Sequence, residues 1–375
     1  MTAEFCYFDN AATTFPKPPA VWREMESCIK SYCGNPGRGS HILALRAAEK
    51  LYETREALAA LFGCEGAERV IFTLNTTYAL NLAMLGLIEE GDHILISDLE
   101  HNSVLRPAEK LKREKGVSYS VFQTSGNVME NIRCKIQKNT KALICTHASN
   151  ITNTVLPLER IGRMLKGRGI YFIVDAAQSA GAHRINMESA CISALCVPGH
   201  KGLLGPQGIG ALLLSPDTSP KPLIWGGTGT LSKEAQMPSL LPEGLEGGTL
   251  PTPAAAGLLE GIRYVRQRGL YDIYSEEARV IDRIKAQLER DQRIITYSKG
   301  KGAIWLFNIK GLSSQKTAHL LAKKGICVRS GLHCAPLAHG TLNTPEDGAV
   351  RASAGPFNTL ADADRLAKAV KDILE

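Results

Sequence analysis

The sequence predicts an α/β protein in which a large unit, a mainly parallel sheet covered by helices, is joined to a smaller C-terminal α+β unit. Three observations carry this. Between Arg69 and Leu214, short apolar runs of strand length alternate with longer segments whose apolar residues recur every three to four positions. A Gly/Pro-rich span from Trp225 to Pro253 then interrupts the alternation. Beyond it come two long helical patterns and a second, shorter mixture of strands and helices.

The elements follow in order. Leu51, Leu58, Leu61 and Phe62 mark one face of a helix that ends at Gly63. Strands are predicted over 70–73, 93–97, 118–122, 142–145, 170–174, 192–197 and 209–214. Between them, 79–88, 104–115 and 158–166 have helical spacing and are closed by Gly91, Gly116 and Gly167. After the interruption, 254–268 and 271–290 read as helices, followed by strands at 303–309, 326–330 and 350–353 and helices at 316–324 and 359–374. We place a large domain over 15–253 and a small one over 254–375, joined by residues 1–14.

The bulk numbers narrow the class. A chain of 375 residues with 44% hydrophobic content can bury a sizeable core. Its 44 Lys+Arg against 37 Asp+Glu give +7, but the basic residues are scattered, which favours small anionic ligands over nucleic acid. No basic segment followed by an apolar run opens the sequence, and no uncharged apolar stretch of about 18 residues occurs, so a soluble cytoplasmic protein with no membrane partner is expected. Ten cysteines without a Cys-x-x-Cys pair argue against a disulfide framework and a zinc ribbon, and most are expected to be small core residues.

Several residues sit where chemistry is done. Lys201 follows a strand inside a glycine-rich run, PGHKGLLGPQG at 198–208, where a partly desolvated amine can form an imine; an ordinary loop lysine is the alternative. Asp175 ends the strand YFIVD, with Gln178 three residues on. A carboxylate there pairs with a protonated ring nitrogen or simply caps the next helix. Thr76 and Thr77 stand at a strand-to-helix junction, offering hydroxyls and free N–H groups to a phosphate, or a plain N-cap. His101 can lay its ring on a planar cofactor or be merely solvated, and Asn150 follows another strand, where a turn asparagine is the bland reading. All five positions fall at carboxyl ends of predicted strands, where a shared sheet gathers them into one crevice. Arg351, on a strand of the small unit, offers a two-pronged contact to a carboxylate or a structural ion pair. Cys334, in VRSGLHCAP at 328–336, reads as core filler, metal ligand or nucleophile.

Nine motifs in order give the chain a family likeness: YFDNAAT at 7–13, NPGRGSH at 35–41, NTT at 75–77, EHN at 100–102, VDAAQ at 174–178, GHK at 199–201, LEGGT at 245–249, RSGLHC at 329–334 and RAS at 351–353. Together they resemble the class V aminotransferases, and within them the cysteine desulfurase/selenocysteine lyase group. The resemblance implies a fold type I enzyme dependent on pyridoxal 5'-phosphate and working as a homodimer. It implies that Lys201 carries the cofactor as an imine, that Asp175 pairs with the ring nitrogen, and that Gln178 contacts the ring oxygen while His101 stacks on the ring. Thr76, Thr77 and His200 would hold the phosphate, with Thr249 reaching it from the partner subunit. Asn150, Arg351, Arg38 and Ala12 would bind the substrate amino acid.

For cysteine the implied reaction is loss of the α-proton to Lys201 and attack on the substrate sulfur by Cys334, giving alanine and a persulfide. The compact RSGLHC form is similar to the group II desulfurases, which often use a separate sulfur-acceptor protein. Pro198 departs from the pattern, standing where many relatives have a phosphate-binding Ser or Thr. Selenocysteine lyase and an epimerase on the same cofactor are the competing enzyme readings. A zinc module from Cys327, His333, Cys334 and His339 is the competing binding reading, although that spacing fits no common finger.

Overall fold

The computed structural model describes residues 5–37, 39–298 and 300–375. The chain runs through β1 (Cys6–Tyr7), α1 (Pro19–Ser31), α2 (Ile42–Phe62), β2 (Val70–Thr73), α3 (Thr76–Leu87), β3 (His93–Ser97), α4 (Asn102–Lys115), β4 (Ser118–Phe122), α5 (Val128–Arg133), β5 (Thr140–Thr146), α6 (Leu158–Leu165), β6 (Tyr171–Asp175), β7 (Ala194–Pro198) and β8 (Gly210–Leu214). It continues through α7 (Thr252–Arg268), α8 (Leu270–Leu288), β9 (Ile294–Thr296), β10 (Ile304–Ile309), α9 (Ser314–Lys323), β11 (Ile326–Cys327), β12 (Arg329–Gly331), α10 (Pro336–Thr341), β13 (Ala349–Ser353) and α11 (Leu360–Leu374).

Strands β2 to β8 form one seven-stranded sheet in the order β2-β8-β7-β6-β5-β3-β4. Every pair is parallel except those of β8, which runs against both β7 and β2. Two reversals cancel, so β2 points the same way as the parallel strands, and its carboxyl end meets theirs at one edge. Side chains alternate across the sheet as strand geometry requires. Leu95, Leu143, Phe172 and Leu195 pack on one face with Leu58 and Phe62 of α2, Ile161 of α6 and Leu258 of α7. Ile94, Ile96, Ile144 and Ile173 pack on the other face with Leu80 and Met84 of α3 and Val104 and Leu111 of α4. Burial on both faces is why these strands read as continuous apolar runs.

A four-stranded antiparallel sheet, β12-β13-β10-β9, builds a separate core. Trp305 and Phe307 of β10 stack at 3.8 Å and pack with Ile281 and Ile284 of α8 and Leu366 and Val370 of α11. Among the described residues, no helix is long and apolar enough to cross a membrane.

Three expectations need correction. The single strand read over 326–330 is two: β11 pairs with β1, β12 pairs with β13, and the chain changes sheets at Val328. An alternation pattern carries no record of the partner, so the break was invisible. The helix expected from 79 begins at Thr76, because Asn75 Oδ1 accepts the Tyr78 N–H at 3.1 Å and caps the first turn. Of the ten cysteines only Cys6, Cys28, Cys145 and Cys196 are buried, and all ten are free thiols.

Candidate active site

The carboxyl edge of the large sheet opens into a cleft of about 670 Å³. Of the predicted site residues, Ala12, Thr76, Thr77, His101, Asn150, Asp175, Gln178, His200, Lys201, Cys334 and Arg351 line it. Thr249 does not; it borders two other grooves of the same chain. Arg38 lies outside the described residues.

Lys201 is carried on the turn between β7 and β8. Leu204 N–H donates to the Lys201 carbonyl at 2.8 Å, and Gly205 N–H to the Gly199 carbonyl at 2.8 Å. The turn packs backbone to backbone on residues 180–181: a Cβ on Gly181 would stand 2.1 Å from the Gly202 carbonyl oxygen, so only glycine is accommodated there. Burial lowers the Lys201 amine to about 8, against an opposing pull from Asp175. Asp175 is 2% exposed at the end of β6, and its Oδ1 accepts the Ala177 N–H at 2.8 Å. Burial pushes its carboxyl up, while that N–H and Lys201 hold it down. Gln178 Nε2 donates to the Ala11 carbonyl at 2.8 Å, which orients the amide and leaves its second N–H free to bond elsewhere.

The start of α3 supplies unpaired donors. N–H groups of the first helical residues lack intrahelical acceptors. Thr76 Oγ1 is buried with no hydrogen-bond partner, whereas Thr77 Oγ1 meets Ser103 Oγ at 2.8 Å. His101 caps α4: its Nδ1 accepts the Ser103 N–H at 3.0 Å. That contact assigns the neutral ring's proton to Nε2. Burial first, then Lys201 and Arg351, lowers His101 to about 4. His200 Nδ1 meets Thr13 Oγ1 at 3.1 Å, and burial lowers this ring to about 4 as well.

Arg351 is 2% exposed. Its Nη1 donates to the Asn150 carbonyl at 3.1 Å and its Nη2 to Asp9 Oδ1 at 3.1 Å, while Nε is buried without a partner. Asp9 also accepts from Arg329 Nε at 3.1 Å, and Arg329 lines the same cleft. Asn150 braces the cysteine loop, donating from Nδ2 to the His333 carbonyl at 2.9 Å. Cys334 lies exposed at the rim, its carbonyl accepting the Asn102 N–H at 2.7 Å. The sequence reading passed over Asp9, Arg329 and Ser103 as site residues. The signal for the first two was present, since each sits inside a quoted motif that also holds a chosen residue.

The aminotransferase class-V family model matches residues 6–366, and the chain belongs to that family. It is similar to a probable cysteine desulfurase of Methanothermobacter thermautotrophicus, 34% identical over 379 residues spanning 98% of this chain and 94% of that protein. A probable cysteine desulfurase of Pyrococcus abyssi is 32% identical, over 100% of this chain and 96% of its own. The solved apo structure of a cysteine desulfurase from Thermococcus onnurineus NA1 superposes with a TM-score of 0.91 at 32% identity, covering 99% of this chain and 94% of that one. The expected α/β architecture with a mainly parallel sheet stands.

Proposed function

We propose that the protein is a cysteine desulfurase, which converts L-cysteine to L-alanine with bound pyridoxal 5'-phosphate and keeps the sulfur on Cys334 as a persulfide. The observation that carries this is the convergence of Lys201, Asp175, Arg351 and Cys334 on one cleft. The residues present fit the cofactor. A buried carboxylate, an amine with lowered proton affinity and an orphaned buried hydroxyl at a helix start match a pyridinium nitrogen, an aldehyde and a phosphate in turn. Thr76, Thr77 and His200 hold the phosphate end in this reading, Asp175 and Gln178 the ring edge, and His101 a ring face.

When bound, the cofactor supplies an electron sink for charge developing at the substrate α-carbon. The chain's own groups do the rest. Arg351 and Asn150, with Ala12 and Arg38, bind the substrate amino acid; Arg351 takes its carboxylate. Lys201 accepts the α-proton, a task suited to an amine whose proton affinity lies near neutrality. The Cys334 thiolate attacks the substrate sulfur: an S–S bond forms, the Cβ–S bond breaks, and its electron pair stays with the carbon skeleton, which takes up one proton at Cβ, recovers one at Cα from Lys201 and leaves as alanine. An acceptor thiol, on a small molecule or a partner protein, then removes the sulfur.

The reading extends to a homodimer in which Thr249 completes a neighbouring site, to a cofactor-binding unit over 15–253 with Cys334 carried by 254–375, and to a cytoplasmic setting. Ten free cysteines are at home in a reducing compartment. The test incubates the purified protein with pyridoxal phosphate, L-cysteine and a thiol reductant and quantifies alanine and sulfide, with and without Cys334→Ser. Both products should require Cys334, and equal alanine from the two proteins would sink the persulfide step. L-selenocysteine serves as the comparison: cleavage retained in the serine variant while cysteine cleavage is lost marks selenocysteine as the substrate.

A further inference from the structure

The loop that bears the thiol is held in an unusual backbone conformation. His333 and Cys334 have φ of 52° and 55°, two consecutive non-glycine residues in the left-handed region. L-residues adopt that region only where their surroundings over-determine it. The two carbonyl anchors, from Asn102 and Asn150, fix the main chain from one side.

From the other side comes a chain of side chains. His333 Nδ1 stands 3.3 Å from His339 Nε2, and His339 Nδ1 stands 2.8 Å from Thr344 Oγ1. The two imidazoles lie nearly parallel, 14° apart, and are 9% and 2% exposed. At the far end, His333 Nε2 faces the Arg329 carbonyl at 3.5 Å. A carbonyl only accepts, so that Nε2 carries the proton and His333 Nδ1 must accept. His339 Nε2 then donates, and its Nδ1 accepts the Thr344 hydroxyl. Every link has one donor and one acceptor when both rings are neutral. Burial first, then Arg351, lowers His333 to about 2 and His339 to about 4, in agreement. The helix bearing His339 is tied to the residue that follows β3, where Thr341 Oγ1 donates to Asp98 Oδ2 at 3.3 Å.

We propose that His339 is a positioning residue for sulfur transfer: the Thr344–His339–His333 chain fixes the left-handed turn that presents the Cys334 thiol to the cleft. This rests on the desulfurase reading for its kinetic consequence and on geometry alone for the loop. Neither His339 nor Thr344 lines the cleft, so their loss should spare substrate binding.

Three variants test it. Thr344→Val removes the terminal hydroxyl, Thr344→Ser keeps it, and His339→Phe removes both of the ring's hydrogen bonds at similar volume. With cofactor loading checked by visible absorbance, Thr344→Val and His339→Phe should lower kcat for alanine on the order of 10–100-fold, as misplaced reacting groups do, with KM nearly unchanged. Thr344→Ser should keep the parental kcat. In the resting protein, the rate at which iodoacetamide alkylates Cys334 should shift in Thr344→Val and not in Thr344→Ser. A Thr344→Val protein with parental kcat and parental alkylation overturns the proposal, as does a change confined to KM. Absence of alanine from the parent protein refutes the desulfurase reading instead. The alkylation comparison then decides the positioning role alone, a parental rate in Thr344→Val overturning it.

Discussion

Asp9 serves two guanidinium groups, and replacing it by Asn isolates the value of its charge. Its oxygens accept from Arg329 Nε and Arg351 Nη2, each at 3.1 Å. The two arginines are directly opposed on neighbouring strands. Arg351 has a side chain 3% exposed, so its charge has little water to fall back on, while Arg329 is 52% exposed and is screened. Attraction between unit charges about 4 Å apart at an effective dielectric near 20 is roughly 4 kcal/mol. Removing one partner of a buried pair typically costs about 3–5 kcal/mol. Asn keeps an acceptor oxygen for one guanidinium, which places the expected loss at the lower end, about 3 kcal/mol. Urea unfolding of Asp9→Asn and parent, at equal protein and cofactor concentration, measures it as a shifted midpoint with an unchanged slope. Added L-alanine, whose carboxylate can replace the lost anion beside Arg351, should recover more stability in the variant than in the parent. A loss below about 1 kcal/mol would refute the view that Asp9 compensates a buried charge, since that is the scale of an exposed pair.

Other outcomes follow from the same geometry. Thr76→Val should weaken pyridoxal phosphate binding about 10–100-fold, the value of a hydrogen bond to a charged group. Stability without cofactor should not fall, because the hydroxyl has no protein partner to lose; cofactor titration and thermal unfolding read the two effects. Glu277 is 9% exposed, and burial, reinforced by Glu276, raises its carboxyl from 4.5 to about 8. Between those values the folded protein holds a proton that the unfolded chain has released, so stability falls as pH rises through the window. Glu277→Gln should therefore be more stable than the parent at pH 7, by about 3 kcal/mol, and should match the parent at pH 4.5. An advantage of the same size at both pH values would count against burial as the cause.

The large sheet was legible because burial on both faces leaves an unbroken apolar run bounded by polar turns. All seven of its strands fall within two residues of the sequence reading at each end. The short strands β1 and β9, of two and three residues, carry no period to detect. Helix α1 escaped because its inner stripe is short, Val21, Met25 and Cys28, and the exposed Trp22 and Ile29 beside it blur the apolar spacing. Lys201, Asp175, Asn150 and the threonines were legible because each follows a strand, and strand ends in such sheets converge. Asp9 and Arg329 were not paired in advance, being 320 positions apart and joined only by the fold. His339 was legible only as a candidate metal ligand. Its link to His333 depends on a short helix, α10, that has neither length nor period.

The reversed strand β8 has a consequence for how the protein is made. Strand β2 is formed early in the chain, yet its only neighbour in the sheet is β8, with Val70 opposite Leu213 and Thr73 opposite Gly210. During synthesis β2 waits, an unpaired edge, while the strands between are added, and long-range pairing of this kind is slow and open to wrong partners. Thr76 and Thr77 follow directly on β2, so that end of the cleft takes shape only when residues 210–214 have emerged. Lys201 precedes β8 by a single turn. The same late event that seats β8 therefore closes both ends of the cleft at once, and a chain cut short of residue 214 should have neither.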